Sequence, residues 1–206
     1  MTKLYLLRHG QTEFNVKKLV QGRCDSPLTD LGRQQAQAAA AWLKAHNVVP
    51  DKVVSSPLGR AMDTAQLVAT ELLGPDAAVE PCEGIIERCY GTFEEGPHDA
   101  LPTDVWDPGE DLIPFGGEGS QALQERMVDT LTNIMGADGI ETLLAVSHGS
   151  ASRQFIKAAA PEGFELPTKL PNCAIMIFGF DDAREEDDTP QCKFTLQQIV
   201  DPQQSH

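Results

Sequence analysis

Four separated stretches of this 206-residue chain carry side chains suited to handling an anion. The first is Leu4-Tyr5-Leu6-Leu7-Arg8-His9-Gly10-Gln11-Thr12, an apolar run that ends in an arginine, a histidine and a glycine. Such a run reads as a buried strand that stops at a loop. A guanidinium offers a planar fork of donors to phosphate oxygens, and a neutral imidazole can act as a nucleophile near pH 7. Taken alone, Arg8 and His9 read equally well as ordinary polar residues at a strand end. The same grammar returns where Thr142 to Val146 runs into Ser147-His148-Gly149. Two histidines, each at a strand end and each followed by glycine, are hard to attribute to packing. Ligands of open α/β sheets bind beyond the carboxyl ends of the strands, where both would lie. Arg60 closes Ser55-Ser56-Pro57-Leu58-Gly59-Arg60, in which Ser56 suits a helix cap and Pro57 the first turn. A cation in that turn is either a solvated surface group or the sign of an anion held between it and the helix N-terminus. Glu87, in Ile85-Ile86-Glu87-Arg88-Cys89-Tyr90-Gly91, precedes a long irregular segment.

The elements that must position these residues alternate between strand and helix. Thr29 is a candidate cap for a helix through Ala36–Ala41 to about Ala45, with His46 in a structural role at its end. Val53-Val54 reads as a short strand. Ala61, Ala65, Val68 and Leu72 form one buried helical face, and Ala78-Val79 suggests another short strand. Leu123, Met127, Leu131 and Ile134 define a third helix that stops at Gly136. A helix rises from Ser150 through Ile156, Ala174 to Phe180 and Phe194 to Val200 read as strands, and Asp181 to Asp188 as an acidic turn. The tail ending in His206 is expected to be mobile. This alternation predicts one α/β domain spanning residues 1–206, with a mostly parallel sheet covered by helices on both faces.

Between Cys89 and Glu125 there is no Lys or Arg, while nine carboxylates fall in the same span. A loop of this length inside a compact domain reads as a lid, here an insertion at about 92–119 with Trp106 and Phe115 as its large apolar anchors. His98 lies among the acids, but no fixed ligand spacing accompanies it, so no metal is expected.

The net charge of −15 argues against nucleic acid and anionic membrane surfaces as partners, since both require basic patches. Five scattered cysteines with no C-x-x-C pair suit free thiols in a reducing cytoplasm. No leader-like segment and no apolar run of about 20 residues is present. A cytoplasmic enzyme is the expectation. Monomer and homodimer both stay open.

With Arg8-His9-Gly10, Arg60, Glu87 and His148-Gly149 in hand, the chain resembles the histidine phosphatase superfamily, in its phosphoglycerate mutase-like branch. The likeness rests on Leu7-Arg8-His9-Gly10-Gln11-Thr12 with Asn15, on Gln21-Gly22 through Thr29 and Gly32, on Ser55 to Ala61, on Glu87 to Gly91, and on Ser147-His148-Gly149. The resemblance implies a three-layer α/β/α sandwich and a phosphohistidine mechanism without cofactor. His9 would attack phosphorus. Arg8, Arg60 and His148 would hold the phosphoryl oxygens, and Glu87 would serve as proton donor and acceptor. Asn15, Gln21 and Gly22 would add hydrogen bonds to phosphate, with Arg88, Tyr90 and Gly149 also counted on the substrate side. Arg88 would orient Glu87 or reach substrate. One departure is Gly117-Glu118-Gly119-Ser120, where the family reads Gly-Glu-Ser, which leaves the lid's return register open.

Within the family, a phosphatase acting on a small phosphorylated metabolite competes with a cofactor-dependent phosphoglycerate mutase. A non-catalytic module of the same fold is a further alternative. A mutase needs extra cations in the lid for the second anionic end of its substrate, and this lid has none. Its acids instead suggest a leaving group that is neutral or cationic beyond the single phosphate.

Overall fold

The computed structural model describes residues 2–182 and 192–204. Most of the acidic turn expected at Asp181 to Asp188, and the end of the tail at Ser205 and His206, lie outside the described residues. Six strands form one sheet: β1 (Thr2–Arg8), β2 (Lys52–Ser55), β3 (Glu80–Pro81), β4 (Thr142–Ser147), β5 (Ile175–Phe180) and β6 (Phe194–Val200), in the order β3-β2-β4-β1-β5-β6. The first four run parallel. β5 lies antiparallel to both β1 and β6. The expected short strand at Ala78-Val79 lies one or two residues further on, as β3.

Five helices accompany the sheet: α1 (Glu13–Lys17), α2 (Asp30–Ala45), α3 (Gly59–Leu73), α4 (Ser120–Met135) and α5 (Gly149–Ala159). The alternation of side chains along each strand decides which helices cover which face. Leu4 and Leu6 of β1, Leu143 and Ala145 of β4, and Met176 and Phe178 of β5 pack with Leu123, Met127 and Phe155 of α4 and α5. Tyr5, Leu7, Leu144, Val146, Ile175 and Ile177 face the other way, onto Ala36, Ala40, Ala61, Ala65 and Val68 of α2 and α3. The result is a three-layer α/β/α arrangement. Small alanines on α2 and α3 let these helices approach the sheet closely.

Caps set the helix starts. The Thr29 side chain accepts from Gly32 N at 3.0 Å and opens α2, as expected. The expected cap of α3 is different. Ser56 does not cap it, and the helix begins at Gly59 with Leu58 in the cap position. Its free N–H groups are met from across the chain by Asp25, whose carboxylate accepts from Gly59 N at 2.5 Å and from Arg60 N at 3.3 Å. A Cβ on Gly59 would collide with that carboxylate.

Residues 92–119 contain only short 3-10 turns, at His98–Ala100 and Ile113–Phe115, following one at Gly91–Phe93. A separate small apolar cluster of Val20, Tyr90, Leu101 and Leu112, with Phe93 and Val105, holds the segment down. Phe93 also packs edge-on to Phe115 at 4.9 Å.

Phe155 anchors the α5 side of the core, edge-on to Phe178 at 4.8 Å and to Phe194 at 5.0 Å. Its truncation leaves a cavity that two fixed rings cannot fill. Phe155→Ala is expected to lower stability in urea by about 3–5 kcal/mol, whereas a loss below about 1 kcal/mol would show that this core collapses around the gap.

Candidate active site

Parallel register brings the site together. β1, β4 and β2 lie side by side, with Arg8 opposite Ser147 and Ser55 opposite Val146. The residues that follow each strand, His9, His148 and Ser56, therefore emerge at the same carboxyl edge. His9 and His148 meet with ring centroids 5.2 Å apart, edge to face. His148 Nε2 lies 2.7 Å from the Ser56 hydroxyl. Ser56, expected as a helix cap, serves instead to fix the second histidine.

His9 Nδ1 lies 2.7 Å from the Gly10 carbonyl oxygen. A carbonyl can only accept, so that nitrogen carries the proton and Nε2 keeps its lone pair. Burial, then the charges of Arg60 and Arg8, hold the His9 imidazole well below its ordinary value of 6.5. Burial, Arg60, His9 and Arg8 do the same to His148. Both rings are neutral near pH 7.

The two arginines enter from different elements. Arg8 ends β1, donates to the Leu170 carbonyl, and lies with its guanidinium 5.0 Å from the Trp106 ring centre. Burial pushes it down to about 10, against the pull of Glu87. Arg60, in the first turn of α3 and only 1% exposed, donates to Gly22 O at 2.7 Å, Cys24 O at 2.8 Å and Asp25 Oδ1 at 3.1 Å. A cation at a helix N-terminus requires an anion nearby, and Asp25 is one such anion. The Nε atoms of Arg8 and Arg60 and the Nδ1 of His148 are buried without a hydrogen-bond partner. Two of these groups, on Arg8 and Arg60, belong to residues lining one cleft and suit an incoming polyoxygen anion.

Glu87 completes the ring of charge. Its Oε1 accepts from Arg88 N at 2.8 Å and Ala151 N at 2.9 Å, and its Oε2 from Ser150 N at 3.2 Å. The carboxylate thus sits on the N-terminal turn of α5, where free N–H groups and the helix dipole favour negative charge. Oε2 holds one longer bond and has lone pairs to spare.

Asn15 and Gln21 present their amides to the same cavity. Asn15 Oδ1 accepts from Thr12 N and from Asn172 Nδ2, each at 3.2 Å, and Gln21 Oε1 accepts from the Thr12 hydroxyl at 3.0 Å. With both oxygens engaged, the NH₂ groups are the ends left for a ligand. Burial, reinforced by Glu87, raises the Tyr90 phenol above its ordinary value, so Tyr90 stays a neutral hydroxyl.

Of the residues anticipated from sequence, Arg8, His9, Asn15, Gln21, Gly22, Arg60, Glu87, Tyr90 and Gly149 line one cavity. His148 stands behind His9, fully buried. Arg88 is placed elsewhere. It is wholly buried, and its guanidinium donates to Ser150 Oγ, Glu118 O and Ser120 Oγ at 2.8 Å each and to Gly109 O at 3.3 Å. It braces the return of this segment against α5, is not part of the cavity lining, and through its backbone N–H holds Glu87, as the first of its two expected roles requires. The departure at Gly117-Glu118-Gly119-Ser120 is absorbed in this brace.

The expectation drawn from the acidic lid also changes. None of the carboxylates of residues 92–119 lines the cavity. Glu94 binds Arg23 N and Tyr90 N, Asp107 binds Lys157 and Gln154, and Glu118 binds Arg126. These three tie the segment down without lining the cavity. A cationic leaving group therefore loses its support. Sequence reasoning passed over Asp25, Ser150 and the placement of Trp106. For Asp25 the signal was present, since a first-turn arginine calls for a nearby carboxylate.

The sequence pattern of the histidine phosphatase superfamily (branch 1) matches residues 4–189. A probable phosphoglycerate mutase of Cronobacter sakazakii is 33% identical over 186 residues, 85% of this chain and 83% of that protein. A broad-specificity phosphatase of Saccharomyces cerevisiae is 30% identical over 158 residues, 75% of this chain and 69% of that protein. Among solved structures, a mutant phosphoserine phosphatase from Entamoeba histolytica in complex with phosphoserine superposes with a TM-score of 0.74 at 28% identity, over 98% of both chains.

The buried neutral histidines leave a mark on stability. Because folding depresses both, the unfolded chain binds more protons below pH 6.5, and stability falls as pH drops from there toward the folded-state values. Each group contributes up to about 1.4 kcal/mol per pH unit in that window. Urea unfolding between pH 6.5 and 5 should therefore be less steep in pH for His148→Gln than for the wild type, by about one group's share. Equal slopes would mean that His148 titrates freely in the folded protein.

Proposed function

The chain belongs to the histidine phosphatase superfamily, branch 1, and from that premise we propose that it hydrolyses a small phosphorylated metabolite through a phosphohistidine on His9. The observation that carries this reading is the tautomer of His9. Its Nδ1–H is held by the Gly10 carbonyl, which leaves the Nε2 lone pair free between two buried guanidinium groups.

In the first step the Nε2 lone pair forms the N–P bond while the bond from phosphorus to the ester oxygen breaks. The departing electron pair stays on that oxygen, which takes through Glu87 the proton brought in by the phosphate monoester monoanion. Arg8, Arg60 and the amides of Asn15 and Gln21 hold the three equatorial oxygens and offset the charge that builds on them. His148, fixed by Ser56, adds its ring to this cradle. In the second step a water oxygen attacks phosphorus, gives its proton to Glu87, and releases His9 with its lone pair restored. The cluster of cations and helix N–H groups supplies the electrostatic role that a metal ion plays elsewhere, so we read the reaction as metal-independent. The five cysteines are free thiols, in keeping with a cytoplasmic setting, and no described helix is long and apolar enough to cross a membrane.

Mutase activity is the competing reading, and one relative carries that name. A mutase must hold a second anionic group at the far end of the cavity. Among the described residues, the only cations on the cavity wall are Arg8 and Arg60, both at the phosphate end. That count favours hydrolysis. The segment 92–119 acts in this reading as a lid within a single domain.

Phosphate release from monophosphate esters should persist in EDTA and fall by at least about 10³-fold in His9→Ala, the scale seen when a nucleophile is removed from a catalytic unit. Glu87→Gln should keep ester binding but slow turnover by roughly 10²–10⁴-fold. Rapid quench with ³²P-labelled ester should trap acid-labile label on His9. Interconversion of 3- and 2-phosphoglycerate with little hydrolysis would replace this reading with the mutase one.

A further inference from the structure

Beyond the phosphate cluster the cavity wall changes character. Leu19, Val20, Val105 and Trp106 present apolar surface there. The polar residues among them are already engaged. The Tyr90 hydroxyl donates to the Val105 carbonyl at 2.7 Å, and His98 Nε2 lies 3.2 Å from the Leu19 carbonyl. Burial holds the His98 imidazole below its ordinary value, so it too is uncharged at neutral pH.

Trp106 is the largest of these groups. Its ring spans from the Arg8 guanidinium to Gly149, where an added Cβ would come within 2.7 Å of the indole Cζ3. Only a glycine at the start of α5 lets the indole lie this close. The backbone around it is tied on both sides. Trp106 N donates to Asp104 Oδ1 at 3.0 Å, and the next carboxylate, Asp107, accepts from Lys157 Nζ at 2.5 Å and Gln154 Nε2 at 3.0 Å. The ring lines the same cavity as Arg8 and Arg60, beside the guanidinium of Arg8.

Apart from Arg8 and Arg60, no Lys or Arg among the described residues lines the cavity, and Lys18 and Lys169, whose charge reaches His98, stand outside that lining. Arg88 is buried in its brace, Arg126 holds Glu118 at 2.7 and 2.8 Å, and Lys157 holds Asp107. A substrate carboxylate in this half of the cavity would lose water without gaining a partner.

We propose that Trp106 is the specificity-determining residue for the leaving group, and that this half of the cavity takes an uncharged alcohol with an apolar or aromatic face in preference to one bearing a carboxylate. The proposal rests on the phosphate position argued above, and its test is arranged so that the two can fail separately. Binding is measured by calorimetry with two phosphonates that cannot be hydrolysed, benzylphosphonate and 3-phosphonopropanoate, on the full chain. The wild type should bind benzylphosphonate about tenfold more tightly, the factor one well-formed aromatic contact supplies. Trp106→Ala should weaken benzylphosphonate about tenfold more than it weakens 3-phosphonopropanoate, and Trp106→Phe should restore most of the preference. Equal affinities in the wild type, a preference for the carboxylate, or the same loss for both ligands in Trp106→Ala would overturn the proposal. If benzylphosphonate is preferred and yet no ester is hydrolysed, the hydrolase reading fails and this one stands.

Discussion

Two guanidinium groups buried at the carboxyl edge of one sheet constrain everything around them. A buried charge without compensation costs several kcal/mol, so each must be wrapped in acceptors. Arg60 takes two carbonyls of the loop at residues 22–24 and the Asp25 carboxylate, which also caps the helix that carries it. Arg8 takes the Leu170 carbonyl and the face of Trp106. These partners account for some of the N–H groups and leave both Nε atoms aimed at nothing. Among the described residues Glu87 is the one carboxylate on the cavity wall, and it is held by the N-terminus of α5. The balance in the pocket remains positive inside a chain of net charge −15. Burial, reinforced by that imbalance, keeps both histidines neutral, and the imbalance makes an anion the natural occupant.

Much of the phosphate end was legible in the sequence because it depends on local grammar. A strand, a histidine and a glycine occur twice, and parallel pairing of those strands brings the two rings to 5.2 Å. No composition argument predicts that distance. It follows from register, which fixes Arg8 against Ser147. The misreadings share a physical origin, since each concerned a polar group whose partner comes from far along the chain. Ser56 looked like a cap because it precedes Pro57, but Asp25 reaches the helix first and frees Ser56 for His148. Arg88 was expected to orient Glu87 or to reach substrate; its backbone N–H holds Glu87, while Glu118 and Ser120 take its guanidinium donors.

The lid shows the same limit on a larger scale. Its run of acids suggested a field acting on the substrate. In the folded chain those carboxylates meet Arg126, Lys157 and backbone N–H groups, and act as ties. Hydrogen bonds and ion pairs of this kind substitute for secondary structure in a segment built from 3-10 turns and a small apolar cluster. Sequence reported the charges correctly. Only the fold could say which way they point.

The two halves of the cavity thus answer to different constraints. The phosphate half is fixed by strand register, by the first turns of α3 and α5, and by the need to neutralise two buried guanidinium groups. A change there disturbs the sheet edge itself. The leaving-group half is made by Leu19, Val20, Val105 and Trp106, on loop and lid segments held by side-chain ties that can be redrawn without touching a strand. A scaffold divided in this way can keep one phosphoryl chemistry while its lid is rewritten for different alcohols. Relatives named as a mutase and as a broad-specificity phosphatase are consistent with such a division. In this chain Trp106 is part of the leaving-group wall, and the segment from Cys89 to Glu125 carries no lysine or arginine beside it.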